Sequence, residues 1–137
     1  MEKILTFIIN EKSEWLLLKG SDKDPQFHKS FWYTVTGGKE EYDSSLEDTV
    51  IREVKEETDL DVEEINDLDW TFEYDSLGKH CIEYAYVSRV KDGDIKLNEE
   101  NIDYKWCDLD EYIEMIEWWG EDKNELYQRL EAFNNWH

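Results

Sequence analysis

Hydrophobic and polar positions alternate along this chain with two distinct periods, and the period marks the elements. Lys3 to Asn10 is a nearly unbroken apolar run and predicts a strand. Glu14 to Lys19 predicts a second, and Phe31 to Thr36, rich in aromatic and β-branched residues, a third that Gly37-Gly38 closes. From about Leu46 to Thr58 the spacing becomes helical. Val50, Ile51, Val54 and Thr58 fall on one side, which is expected to pack on the sheet; Lys55 and Asp48 flank it where they reach water. Ser44 or Ser45 supplies the helix cap, with Glu47 or Asp48 three residues on. Strands return at Trp70 to Tyr74 and Cys81 to Val90, antiparallel across the turn Ser76-Leu77-Gly78, and again at Asp103 to Cys107. Helices near Leu109 to Trp118 and Lys123 to Phe133 follow. The single proline, Pro25, lies in a polar run that reads as a surface loop.

Strands on both sides of one central helix, with helices last, predict an α+β chain built on a mixed sheet flanked by helices. The length of 137 residues suits one domain over residues 1–137. The opening apolar run is too short for a signal peptide or a membrane span, and no later stretch reaches membrane length, so the cytoplasm is the expected address. Cys81 and Cys107 have neither metal-knuckle nor redox spacing and read as small buried residues of a reducing compartment.

Charge narrows the function. Asp and Glu number 36 against 15 Lys and Arg, a formal net charge of -21. That argues against a nucleic-acid polymer or an anionic membrane as partner, since both need a basic face. A phosphate-bearing small molecule stays open, because divalent cations can supply the missing positive charge. Disorder is not expected: the chain carries 7 Trp, 8 Tyr and 5 Phe.

The central helix holds the candidate chemistry. Glu53, Glu56 and Glu57 stand at i, i+3 and i+4 and share a face, with Glu53 and Glu57 at the edge of the apolar stripe. They lie in the C-terminal half, where the helix dipole is already negative. Like charges so placed cost about 0.2–0.5 kcal/mol per pair. A divalent cation reverses the sign, and Mg²⁺ prefers oxygen ligands. The glycine pair Gly37-Gly38 would let the backbone approach the helix closely. A solvated acidic face is the competing reading, and common in so acidic a chain.

From Gly38 to Leu60 the sequence resembles the signature of the Nudix hydrolase family, G-x5-E-x7-R-E-U-x-E-E-x-G-U, with U a bulky aliphatic. Gly38, the core Arg52-Glu53-Val54-Lys55-Glu56-Glu57 and Leu60 match. Two positions depart: Ser44 stands where the signature has its first glutamate, and Asp59 where it has its second glycine. Asp tolerates the left-handed conformation that ends a helix; Glu40, Glu41 or Asp43 could replace the missing glutamate.

The resemblance implies an α/β/α sandwich and Mg²⁺-dependent hydrolysis (Mn²⁺ a substitute) of a nucleoside diphosphate linked to another moiety. It implies that a backbone carbonyl at Gly37 or Gly38, with Glu56 and Glu57, holds the metal. Glu53 would be a ligand or the general base, and Arg52 would orient the glutamates. The segment from Leu97 to Trp106 resembles the family's E-x5-W stretch and nominates Glu100 as a further ligand, with Glu99 the runner-up. Lys39 and Lys19 are candidates to meet a substrate phosphate, and Phe31, Trp32, Trp70, Tyr74, Tyr84 and Tyr86 to stack on a base. Phe31-Trp32, Val35-Thr36-Gly37 and Tyr104-Lys105-Trp106 look like segments of the dihydroneopterin-triphosphate and nucleoside-triphosphate branches. Trp118, Trp119, Phe133 and Trp136 are expected to cover the sheet or form a homodimer contact. The alternatives are a non-catalytic nucleotide-binding module, motivated by Ser44; a Nudix-related isomerase needing a catalytic cysteine; and an acidic interaction protein with no site.

Overall fold

The computed structural model describes residues 1–20, 31–118 and 122–134. The loop around Pro25, Trp119 and Trp136 lie outside the described residues.

The described elements run β1 (Glu2–Ile9), β2 (Trp15–Gly20), β3 (Trp32–Tyr33), β4 (Val35–Gly38), α1 (Leu46–Thr58), β5 (Val62–Ser76), β6 (Lys79–Val90), β7 (Asn101–Cys107), α2 (Leu109–Met115) and α3 (Lys123–Glu131). β1 is the pivot. One edge pairs in parallel with β6 from Glu2↔Ile82 to Ile9↔Arg89, and β5 pairs antiparallel beyond it. The other edge is shared, by β4 along Lys3 to Thr6 and by β2 at Ile9↔Trp15. β2 then carries β3 and β7. The sheet is therefore mixed, as expected.

Alternation along β1 splits the core in two. Leu5, Phe7 and Ile9 face Tyr112 and Ile116 of the α2 segment and Leu126 and Leu130 of α3. Ile4 and Ile8 face Val50 and Val54 of α1, with Leu16, Leu18, Val35, Tyr86 and Val90. These side chains are fully or almost fully buried, each contributing about 1.5–3 kcal/mol for a residue of Val or Leu size. Helix α1 covers one face and α2 with α3 the other: an α/β/α sandwich.

The structure corrects several sequence expectations. The run from Phe31 to Thr36 is two strands, because Trp32 pairs with Lys19 while Val35 pairs with Thr6. Thr34 lies between them and donates its hydroxyl to the Thr6 carbonyl at 2.5 Å. The strand foreseen at Trp70 to Tyr74 spans 15 residues. Its first half was hidden by Glu63, Glu64, Asn66, Asp67 and Asp69, which an edge strand with a solvated face tolerates. The hairpin turn is Leu77-Gly78, both at positive φ (52° and 78°), as a two-residue loop requires. Both closing helices end earlier than expected, at Met115 and Glu131.

Helix α1 keeps its foreseen bounds. Ser45, not Ser44, is the N-cap, accepting from the Asp48 N–H at 3.1 Å. Asp59 ends the helix in the left-handed conformation (φ 64°), its N–H donating to the Lys55 carbonyl. The buried stripe is rotated relative to the expectation. Ile51 is 47% exposed, whereas Thr49, Glu57 and Thr58 are buried with Val50 and Val54. Glu57 thus sits inside the stripe rather than at its border. Counting only apolar residues moved the predicted stripe toward Ile51, because a buried glutamate is invisible to that count.

Candidate active site

Gly37 pairs with Ile4, so it faces the α1 side of the sheet. Glu53 of α1 fills the space where a side chain would stand: a Cβ on Gly37 would lie 2.2 Å from Glu53 Cδ and 2.4 Å from Cγ. The close approach foreseen from the glycine pair is what the backbone achieves.

Arg52 is the hub. Its Nη1 donates to Glu53 Oε1 at 2.8 Å and to the two Glu56 carboxylate oxygens at 3.3 and 3.4 Å. Its Nη2 reaches the Gly38 carbonyl at 3.0 Å and Asp43 Oδ2 at 2.9 Å, and its Nε reaches Asp43 Oδ1 at 3.1 Å. Glu57 turns the other way, accepting from Asn101 Nδ2 at 3.0 Å. Asn101 opens β7, after a segment tied to the end of α1 by Ile95 and Leu97 in the core and by the Lys96 N–H on the Thr58 carbonyl at 3.0 Å.

The turn before Asn101 holds Glu100, whose charge acts on both Glu53 and Glu57; its N–H donates to Asn98 Oδ1. Glu99 is not among the largest contributors to either rise. Four carboxylates from α1 and the β7 approach are therefore electrostatic neighbours. Among the described residues no three side chains yet converge as a metal cage. Glu53 and Glu56 lean on Arg52 and Glu57 on Asn101.

Burial raises the Glu53 pKa from 4.5 to about 7, reinforced by Glu56 and opposed by Arg52. Burial also holds Glu57 well above the ordinary range, against the Asn101 hydrogen bond, with Glu100, Glu53 and Glu56 adding to the rise. Arg52 does the reverse for Asp43, holding it well below. Glu57 Oε2 is buried with no hydrogen-bond partner among the described residues, an arrangement that costs about 1–3 kcal/mol and more for a charged group. A hard divalent cation suits this all-oxygen donor set and would satisfy that atom.

A stability test follows for the metal-free protein. A carboxylic acid with a raised folded pKa binds more protons folded than unfolded, so its contribution to stability falls as pH rises. For Glu53 that window runs from 4.5 to about 7. Thermal unfolding in chelator is expected to show Tm declining across this window, and Glu57→Gln to raise Tm at the alkaline end.

Other nominated residues lie elsewhere. Lys19 faces the α2–α3 side, its Nζ 5.7 Å from the centre of the Trp32 ring, and the structure does not bring it to the carboxylates. Lys39 follows β4, with its N–H on the Glu2 carbonyl. Trp32, Trp70 and Phe133 pack against the α2–α3 core, and Trp118 centres an aromatic cluster with Phe7, Tyr33, Trp70 and Phe72. Phe31 lies against Tyr33. Tyr84 and Tyr86 pack in the α1 core, and Tyr74 donates to Glu83 at 3.0 Å. Both cysteines are buried and free, and burial pushes the Cys107 thiol up to about 12, unsuited to a nucleophile. No helix among the described residues is long and apolar enough to cross a membrane.

Sequence reasoning missed Asn101 and left Asp43 among three choices. Neither stands at a helical or strand period that marks it, and only folding brings each to α1.

A sandwich with a glycine corner beneath a carboxylate-bearing helix defines a class that comparison with known proteins identifies. The NUDIX domain model matches residues 2–130, and the chain belongs to that family. No curated protein shows significant sequence similarity to it. Among solved structures, the MutT protein from Methanosarcina mazei Go1 shares 28% identity over 98% of this chain and 94% of its own, with a TM-score of 0.73. A C. elegans Ap4A hydrolase (22%, 96% of each chain, 0.72) and the E. coli dihydroneopterin triphosphate pyrophosphohydrolase (22%, 96% of this chain and 93% of its own, 0.68) share the fold. The family match and these neighbours support a pyrophosphohydrolase.

Proposed function

We propose that the chain hydrolyses a phosphoanhydride bond of a nucleoside polyphosphate in the presence of Mg²⁺, with a nucleoside or pterin triphosphate as the preferred substrate class. Two of the solved neighbours carry names pointing to that chemistry: Ap4A hydrolase and dihydroneopterin triphosphate pyrophosphohydrolase. Glu53, Glu56, Glu57 and Glu100, with the carbonyl of Gly37 or Gly38, would hold the cation. Gly38 already accepts from Arg52, which favours Gly37. When bound, the cation would supply positive charge against the anionic phosphoanhydride oxygens.

The chain's own residues do the rest. Glu53, seated against the Gly37 backbone and held by Arg52, is suited to take a proton from the attacking water. Arg52 holds Glu53 and Glu56 toward the glycine corner. Lys39, just past that corner, is the nearer of the two lysines to meet a substrate phosphate.

The observation that carries this reading is the buried, unpartnered Glu57 Oε2 beside the charges of Glu53 and Glu100. The non-catalytic alternative loses its motive, because Asp43 engages Arg52 where Ser44 does not. The test is incubation with Mg²⁺ and a panel of canonical and oxidised nucleoside triphosphates, pterin triphosphate, nucleotide sugars and dinucleoside polyphosphates. Pyrophosphate from a triphosphate is expected. Binding of triphosphates without turnover would revive the non-catalytic module.

A further inference from the structure

We propose that Asp43 is a positioning residue for the candidate metal centre, setting the orientation of Arg52 so that its Nη1 holds Glu53 and Glu56 where a cation can meet them. This rests on the metal-site reading above.

A guanidinium presents five N–H donors in one plane, and here they divide among named partners. The Nε and Nη2 edge takes both Asp43 oxygens, at 3.1 and 2.9 Å. The second Nη2 contact is the Gly38 carbonyl, and Nη1 is left for Glu53 and Glu56. Asp43 is itself fixed. Its side chain is 4% exposed, Oδ2 accepts the Glu40 N–H and the Thr49 hydroxyl, each at 2.9 Å, and its own N–H returns to the Glu40 carbonyl at 3.0 Å. A tight turn over residues 40–43 and a buried threonine of α1 thus aim this carboxylate inward.

Ser44, at the signature's glutamate position, is exposed, and its N–H donates to Asp48. The carboxylate facing Arg52 is supplied one residue earlier. The consequence is geometric. With Asp43 in place, the Nε and Nη2 donors are fixed and Nη1 is set against Glu53 and Glu56. Without it, the guanidinium loses the contacts that set its plane, and with them the geometry in which it holds the two glutamates.

A double-mutant cycle on Mn²⁺ affinity tests this. Mn²⁺ is titrated calorimetrically into the wild type, Asp43→Asn, Arg52→Gln and the double variant, each checked for folding by thermal unfolding in chelator. Asp43→Asn is expected to weaken Mn²⁺ binding by about 10–100-fold, the range for residues that orient metal ligands. In the Arg52→Gln background the same change is expected to alter affinity by less than about 2-fold, the margin within which independent effects add. An equal loss in both backgrounds, or none in either, overturns the role. Failure of the wild type to bind Mn²⁺ instead sinks the metal-site reading.

If Asp43→Asn does not fold, the Arg52 Nε–H resonance of the wild type decides. It is expected to stay protected from solvent exchange when Mg²⁺ is added, since Asp43 keeps its hold. Loss of protection on Mg²⁺ binding overturns the proposal.

Discussion

Replacing Glu53 by glutamine is expected to lower kcat by about 10²–10⁴-fold, the span general-base catalysis covers, while the protein stays folded. Glutamine keeps the shape and an oxygen that can accept from Arg52, whose Nη1 stands 2.8 Å from Glu53 Oε1. What it loses is the ability to accept a proton. The same variant removes the burden of ionising a largely enclosed carboxylate whose pKa burial has raised to about 7. Its metal-free form is therefore expected to unfold at a higher temperature than the wild type at alkaline pH. Lower turnover with higher metal-free stability separates a functional residue from a structural one. Steady-state kinetics with Mg²⁺ and thermal unfolding in chelator supply the two readings. Turnover within a few-fold of wild type would remove Glu53 from the base role.

Gly37→Ala is the second large effect. The added methyl would stand 2.2 Å from Glu53 Cδ and 2.6 Å from its Oε1, closer than atoms can approach. Gly37 is not at positive φ, so the substitution brings no backbone strain. The flexible glutamate, rather than the strand, gives way. Displacing a reacting group by an ångström costs about 10²-fold, so a loss of that order is expected with little change in fold. Gly38→Ala is the control: among the described residues its Cβ would meet only Met1 Cε, at 3.4 Å, and a far smaller loss is expected. Equal losses in the two variants would mean the glycine corner matters for some reason other than room for Glu53.

The parts legible in the sequence were those with a period or a spacing. Helix α1 kept its foreseen bounds because a cap, an apolar stripe and a left-handed Asp59 agree on them. The mixed sheet flanked by helices was legible because strands stand on both sides of one central helix and helices come last, and the sandwich followed from the resemblance. The first half of β5 was not, since an edge strand facing water is free to be acidic. Glu57 was read as bordering the stripe when it lies inside it, because burial of a charge depends on what folding brings alongside. Here that is Asn101, 44 positions further on. Asp43 was one of three acids near the helix start, and the hydrogen bonds of the turn at 40–43 select it. Lys19 was nominated for ending a strand, but alternation along β2 points it to the face opposite the carboxylates.

The central claim is that a divalent cation relieves the repulsion among the α1 glutamates and completes the unpartnered Glu57 oxygen. Calorimetric titration of the metal-free protein with Mn²⁺ at mildly alkaline pH, repeated on Glu57→Gln, addresses it directly. Saturable binding that raises Tm in the wild type and is weakened in the variant is the expected result. A wild type whose Tm is indifferent to Mn²⁺, or a variant that binds as tightly, would contradict it.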